Sequence, residues 1–168
     1  VTEHVVNLFE LQKHAGDFTA DEVFCCIGTT KAQTPDKETY YKIDHGIPVT
    51  AARLAKQNGI GTFIVVSAIG ASPNSGVFYI RTKGEMERDV QQLGIAKTHI
   101  LQPSQIVAPQ RQGRTLEKIV VKVMGLLNPL LVGGLKKYRS IKAHDIAKAM
   151  VKLANTSYKK NIIPSDRI

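Results

Sequence analysis

The chain has 168 residues, 43% of them hydrophobic, enough to bury the core of one globular domain. No apolar run reaches the ~18 residues of a membrane span, and the opening "VTEHVVNLFE" has neither the basic start nor the apolar middle of a secretory signal, so the expectation is a cytoplasmic location. The net charge of +9 raises nucleic acid as a partner. Its lysines are spread along the chain, however, and its few aromatic residues form no stacking platform, which argues against that activity.

Read in chain order, "EHVVNLFEL" predicts a strand with a short following helix, and "DEVFCCIG" a second strand ending at Gly28. Adjacent Cys25 and Cys26 would point to opposite faces of that strand as reduced thiols, with no further cysteine to complete a metal or redox site. A polar loop leads to a helix over about Glu38 to Gln57, with Ile43, Ile47, Ala51, Leu54 and Ala55 on one side and Pro48 as a candidate kink; Asn58-Gly59 ends it. "GTFIVVSA" is a continuous apolar run, as expected of a strand buried on both faces. After the loop "IGASPNSG" comes a helix carrying Tyr79, with Met86, Val90 and Leu93 at helical spacing.

"THILQPSQIV" is the next strand, broken at Pro103. A helix through Leu116, Ile119, Val120, Val123, Met124 and Leu127 stops at Asn128-Pro129, and a last one follows "YRSI" with Ile146, Ala147, Met150 and Leu153. Strands alternating with helices predict a single α/β domain over residues 1–168, a doubly wound parallel sheet of Rossmann type. Such sheets bind ligands beyond the carboxyl ends of their strands. Gly28, Ser67 and Pro103 each mark such an end, so three ends are expected to converge on one crevice.

Within that crevice the informative pair is Tyr79 and Lys83. Tyr-x-x-x-Lys is weak alone: five tyrosines in such a chain give about one match in two by chance. The chain holds a second match, Tyr138 with Lys142, where the intervening residues look extended or turning; on a strand such residues lie ~13 Å apart and cannot serve one atom. On a helix Tyr79 and Lys83 share a face. Reduction of a carbonyl by hydride leaves an alkoxide that needs a proton, and a nearby cation favours the phenolate needed for the reverse reaction. Lys83 would supply that charge. The alternative is a packed tyrosine ring beside a solvated lysine. His45 and His144 have no second ligand at metal spacing, and surface or capping roles are expected of them.

The blocks "VFCCIGTT", "FIVVSAIGA", "YIRTKGEME", "ILQPSQIV" and "YRSIKAHDIAKAMV", in that order over nearly the whole chain, resemble the atypical short-chain dehydrogenase/reductases. The likeness is to the small NAD(P)-binding group that includes the Tat-interacting oxidoreductase and bacterial epimerase/dehydratase-like proteins. The resemblance implies a cofactor, NADP or NAD, with Tyr79 as catalytic acid/base, Lys83 as its partner and Ser67 as the catalytic serine. It also implies Gly28, Thr29, Lys83 and Pro103 at the cofactor, and a small-molecule carbonyl, alcohol or nucleotide-sugar-like substrate.

Departures accompany it. If the serine register is the second position, Ala68 stands there; Asp44 occupies the position of the family's helix asparagine. No Gly-rich dinucleotide-binding turn occurs in the sequence, and the expectation is that roughly 50 residues, the size of a β-α-β unit, precede Val1 in the whole protein. A non-catalytic NAD(P)H-binding regulator on the same fold is the second reading. The apolar "LLNPLLVGGL" is open to a role as substrate lid or as homodimer contact.

Overall fold

A computed structural model describes residues 2–107 and 131–168. Four parallel strands form the main sheet: β1 (Glu22–Cys25), β2 (Thr62–Val66), β3 (Lys97–Gln102) and, further along the chain, β6 (Ile162–Pro164), in the order β1-β2-β3-β6. Cys25 aligns with Val65, and Val65 with Ile100, so the carboxyl ends of β1, β2 and β3 lie level on one edge. A separate parallel pair joins β4 (Ile106–Val107) to β5 (Ile141–Lys142).

The continuous apolar run of β2 is explained by burial on both faces. Phe63 and Val65 face a core shared with α2 (Ile47–Gln57) and α3 (Phe78–Gln92); Ile64 faces Ile146, Met150 and Leu153 of α4 (Ala143–Ala154). Phe63, Ile64 and Val65 have no accessible surface, each contributing about 1.5–3 kcal/mol by burial. The result is a helix-sheet-helix sandwich, the α/β parallel fold expected from the alternation of elements. Cys25 is buried, which pushes its thiol up to about 11, whereas Cys26 is exposed with Sγ 3.9 Å from Met150 Sδ.

The opening segment keeps its expected helix but not its strand. Residues 2–7 form no strand, and Leu8–Asp17 is a 3-10 helix whose first turn is capped by Asn7 Oδ1 accepting the Phe9 N–H at 3.1 Å. The reason is visible in the spacing: Leu8, Leu11 and Ala15, three or four apart, all pack into the α2 side of the core, a pattern of helical rather than strand period.

The expected helix over Glu38–Gln57 is built in three pieces: α1 (Lys37–Tyr41), a π-helical turn over Lys42–Gly46, and α2. Pro48 has no N–H to give the Asp44 carbonyl, and the ladder adjusts just before it, with the Ile47 N–H bonding the Lys42 carbonyl five residues back. Pro48 therefore widens one turn instead of ending the helix. At the far end, Gly59 (φ 73°) closes α2 with its N–H on Lys56 O at 3.2 Å and the Ile60 N–H on Ala55 O at 2.9 Å, a Schellman cap. The helix expected from Leu116 to Leu127 lies outside the described residues. Strand β6 was not foreseen; three residues beside Pro164 carry too little pattern.

Candidate functional site

The π turn sets the first component. It carries Asp44, fully buried, against α3 and the loop that follows β1. Asp44 Oδ2 accepts the Thr29 N–H at 2.8 Å, and Oδ1 lies 2.7 Å from Lys83 Nζ, with both side chains almost entirely out of solvent. A lysine buried on an α3 face needs such a partner, since an unpaired ammonium would be strongly disfavoured there. Gly28 borders the pair: a Cβ at that position would stand 3.4 Å from Asp44 Oδ1 and 3.6 Å from Lys83 Nζ. The exposed glycine thus leaves the ion pair uncovered by any side chain of its own.

Tyr79 and Lys83 lie on one α-helix, in its first two turns, as their spacing requires. Tyr79 is 39% exposed and forms part of the wall of a cavity of about 500 Å³, together with Thr29, Tyr40 and Phe78. The Tyr40 ring meets Phe78 and Tyr79 edge-on, with centroids 5.6 and 6.3 Å apart. The phenol departs from expectation. Burial, and then the negative charge of Asp44, push the Tyr79 pKa upward. Lys83, one turn on, is engaged at contact distance with Asp44.

Ser67 and Pro103 reach the same edge. The pairing of β2 with β3 continues past the strand ends through the Ser67 N–H on Leu101 O at 2.7 Å and the Ile69 N–H on Pro103 O at 3.0 Å. Ser67 is buried, and its hydroxyl donates to Glu87 Oε1. Gln102 Nε2 adds a hydrogen bond of 3.0 Å to each Glu87 oxygen. Burial raises the Glu87 pKa, while the Ser67 and Gln102 hydrogen bonds and the Lys83 charge oppose the rise. Strands spaced ~4.8 Å apart put Gly28 and Pro103 about 10 Å from one another across the edge. Gly28, Thr29 and Lys83 are thus one group, Ser67 and Pro103 another, and α3 crosses both.

Sequence reasoning did not find Glu87 or Gln102. The available signal was Glu87 four residues after Lys83 on the same helical face. His45 neither caps nor faces solvent: its Nε2 lies 2.8 Å from Asp89 Oδ2 and its ring stacks on Tyr41 at 4.5 Å. Behind the site, the Ile69–Val77 loop crosses α3 at Gly84, where a Cβ would fall 2.1 Å from the Ser72 carbonyl carbon. In the second Tyr-x-x-x-Lys match, Tyr138 ends a 3-10 turn and Lys142 lies in β5.

Comparison with known proteins adds relatives and fold neighbours. No protein-family model matches the chain. It is 32% identical over 163 residues to Protein FMP52-1, mitochondrial, of Scheffersomyces stipitis, covering 92% of this chain and 67% of that protein. With Protein FMP52, mitochondrial, of Candida albicans it shares 33% over 138 residues, 81% of this chain and 59% of the relative. The chain therefore spans between about half and two thirds of the length of the curated relatives it matches. The expected cytoplasmic location is overturned by these names, which place the relatives in mitochondria.

Among solved structures, the chain is similar to RMD from Pseudomonas aeruginosa, complexed with NADPH, at TM-score 0.67 and 15% identity, covering 95% of this chain and 65% of that one. A putative NAD-dependent epimerase/dehydratase from Bacillus halodurans gives TM-score 0.63 and 18% identity, covering 96% and 74%. The UDP-glucose 4-epimerase of Thermotoga maritima, solved with UDP-glucose, gives 0.66 and 15%, covering 94% and 60%. At these identities the likeness establishes the fold, which is that of the Rossmann-type epimerases and dehydrogenases.

Proposed function

The chain belongs to the FMP52 family, and we propose that it carries the proton-transfer site of an NAD(P)-dependent oxidoreductase or epimerase/dehydratase-like enzyme acting on a small carbonyl or alcohol. Its place of work is the mitochondrion, following the names of its relatives. One observation carries the reading. Tyr79 lines a cavity while Lys83, one helical turn on, sits buried beside Gly28 and Thr29 at the carboxyl edge of a parallel sheet.

A nicotinamide cofactor fits this edge. The bare backbone at Gly28 admits close approach, Thr29 offers a hydroxyl, and Lys83 an ammonium; Pro103 would border the ring side. When bound, such a cofactor supplies hydride chemistry. The chain's own part is the proton. A phenol raised in pKa is fully protonated at neutral pH, so Tyr79 is ready to donate to the alkoxide that carbonyl reduction creates. An alkoxide is a far stronger base than a phenolate, and the transfer is downhill. In the opposite direction Tyr79 must first ionise, and Asp44 opposes this while it neutralises Lys83. The protonated phenol is therefore the form that serves the reduction step. Ser67, held on Glu87, serves as a positioning residue for the α3 crossing rather than as a second donor.

A second reading is favoured by the same ion pair together with Ala68: a protein that binds NAD(P)H on this fold and regulates without turnover. A panel of carbonyl compounds offered with NADH or NADPH to the wild type and to Tyr79→Phe separates the two. The enzyme reading expects turnover that drops at least ~100-fold in the variant; no turnover on the panel, with cofactor bound, favours the regulator.

A further inference from the structure

The cavity beside Tyr79 has walls of one chemical kind and a mouth of another. Tyr40, Phe78 and Tyr79 supply three aromatic rings in edge-on contact, with Val77, 61% exposed, and Pro35 beside them. Apart from two lysines, the polar side chains that line it are hydroxyls. Thr29 and Thr34 already bond one another at 2.8 Å, and among the described residues no carboxylate or amide side chain faces the space. Lys31 and Lys37 stand at the mouth, both exposed, and among the described residues neither has an ion-pair or hydrogen-bond partner. Lys37 Nζ lies 5.8 Å from the Phe78 ring centroid; Arg81, 5.9 Å from the same ring, is instead tied to the Ser75 carbonyl at 3.0 Å.

We infer that the substrate of this site is an apolar or aromatic carbonyl compound bearing one anionic group, its ring or chain against Tyr40, Phe78 and Tyr79 and its anion at Lys31 and Lys37. The inference rests on the reading of Tyr79 as proton donor and adds the substrate class to it. Volume, lining and charge point the same way. About 500 Å³ suits a compound of drug size, and apolar walls with a few placed polar groups are the usual form of such sites. A nucleotide sugar would bring a row of hydroxyl groups. Each needs a partner when buried, and the described lining side chains offer threonine and tyrosine hydroxyls and the two lysines, with no amide or carboxylate to receive them. An anion on an apolar body finds its complement in two cations that, among the described residues, no carboxylate pairs with.

The test is equilibrium binding to the purified protein of 2-naphthoate and of its neutral counterpart 2-naphthamide, in wild type and in Lys31→Met/Lys37→Met. Both lysines are exposed, so the double variant leaves the core untouched. The proposal expects naphthoate to bind about tenfold more tightly than the amide at low salt, a preference that shrinks as salt is added and falls below about twofold in the double variant. UDP-glucose should not displace it. Equal affinities for the two probes, a preference that survives in the double variant, or displacement by UDP-glucose would overturn the substrate class. Neither probe is turned over, so the catalytic reading is judged separately by Tyr79→Phe. Loss of turnover in that variant without the charge preference would sink the substrate class alone. Undiminished turnover with the charge preference intact would remove Tyr79 as donor and leave the chemistry of the cavity standing.

Discussion

Lys83 Nζ lies 2.7 Å from Asp44 Oδ1, and neither side chain has appreciable contact with solvent. The two residues are 39 positions apart in sequence, one in a π-helical turn and the other in the second turn of α3. Asp44→Ala leaves a buried ammonium without its counter-charge, and the expected loss is about 3 kcal/mol or more. Asp44→Leu combined with Lys83→Met should recover most of it, because an apolar pair of similar volume avoids both desolvation costs. Urea unfolding of the three variants checks this; a double variant no more stable than Asp44→Ala would show that the pair is not the coupled unit described.

Gly84→Ala should destabilise the protein even though alanine is the better helix former by roughly 1 kcal/mol. The added methyl would lie 2.1 Å from the Ser72 carbonyl carbon and 2.3 Å from Pro73 N, both backbone atoms of the loop packed on α3. Displacing that loop is expected to cost about 2–3 kcal/mol. A thermal midpoint equal to or above that of the wild type would contradict the close approach.

Glu87 gives a stability signature with pH. Its folded pKa is raised, so between the ordinary glutamate value of about 4.3 and the raised one the folded state holds the proton more firmly than the unfolded chain. That contribution is fully present below the unfolded value and is lost as pH climbs through the folded one. Relative to Glu87→Gln, the wild type should therefore gain stability on acidification from pH 7.5 toward pH 4.5. Unfolding midpoints of both proteins at the two pH values measure it, and a difference that does not vary with pH, or grows in the other direction, would rule out the raised value.

Tyr79 gives a catalytic one. A proton donor is active while protonated, and its pKa is shifted above the ordinary tyrosine value of about 10. The rate of carbonyl reduction limited by this donor should stay level from neutral pH up to about 10 and decline only beyond. Asp44→Asn removes the negative charge that helps to raise Tyr79 and frees the Lys83 charge, so the decline should move to lower pH. A wild-type rate already falling near pH 7 would contradict the state described for the phenol.

The parts of this arrangement that were legible in the sequence are those written in local pattern. "TFIVV" announces a strand buried on both faces because Phe63 to Val66 are all apolar; Cys25 at the end of β1 is buried and Cys26 just beyond it exposed, as alternation along an extended chain requires. The level ends of β1, β2 and β3 follow from parallel pairing, which makes Gly28, Ser67 and Pro103 neighbours of one edge. What was hidden is long-range or ambiguous in period. Residues 3–11 read as a strand with a short following helix; only the helix forms, with Leu8, Leu11 and Ala15 packed into the α2 side of the core. Asp44 was noted only for its position, and nothing local announces that it reaches Lys83. Ser67 was expected at the reacting centre, and its turn toward Glu87 depends on a contact across 20 residues.

The measurement that bears most directly on the account is a single-turnover reduction in wild type and in Tyr79→Phe, with NADPH and NADH affinity determined on the same samples. The account predicts that the variant binds cofactor as tightly as the wild type and reduces the carbonyl at least ~100-fold more slowly. Equal rates in the two proteins would contradict it, and the phenol at the cavity wall would then be a binding surface only.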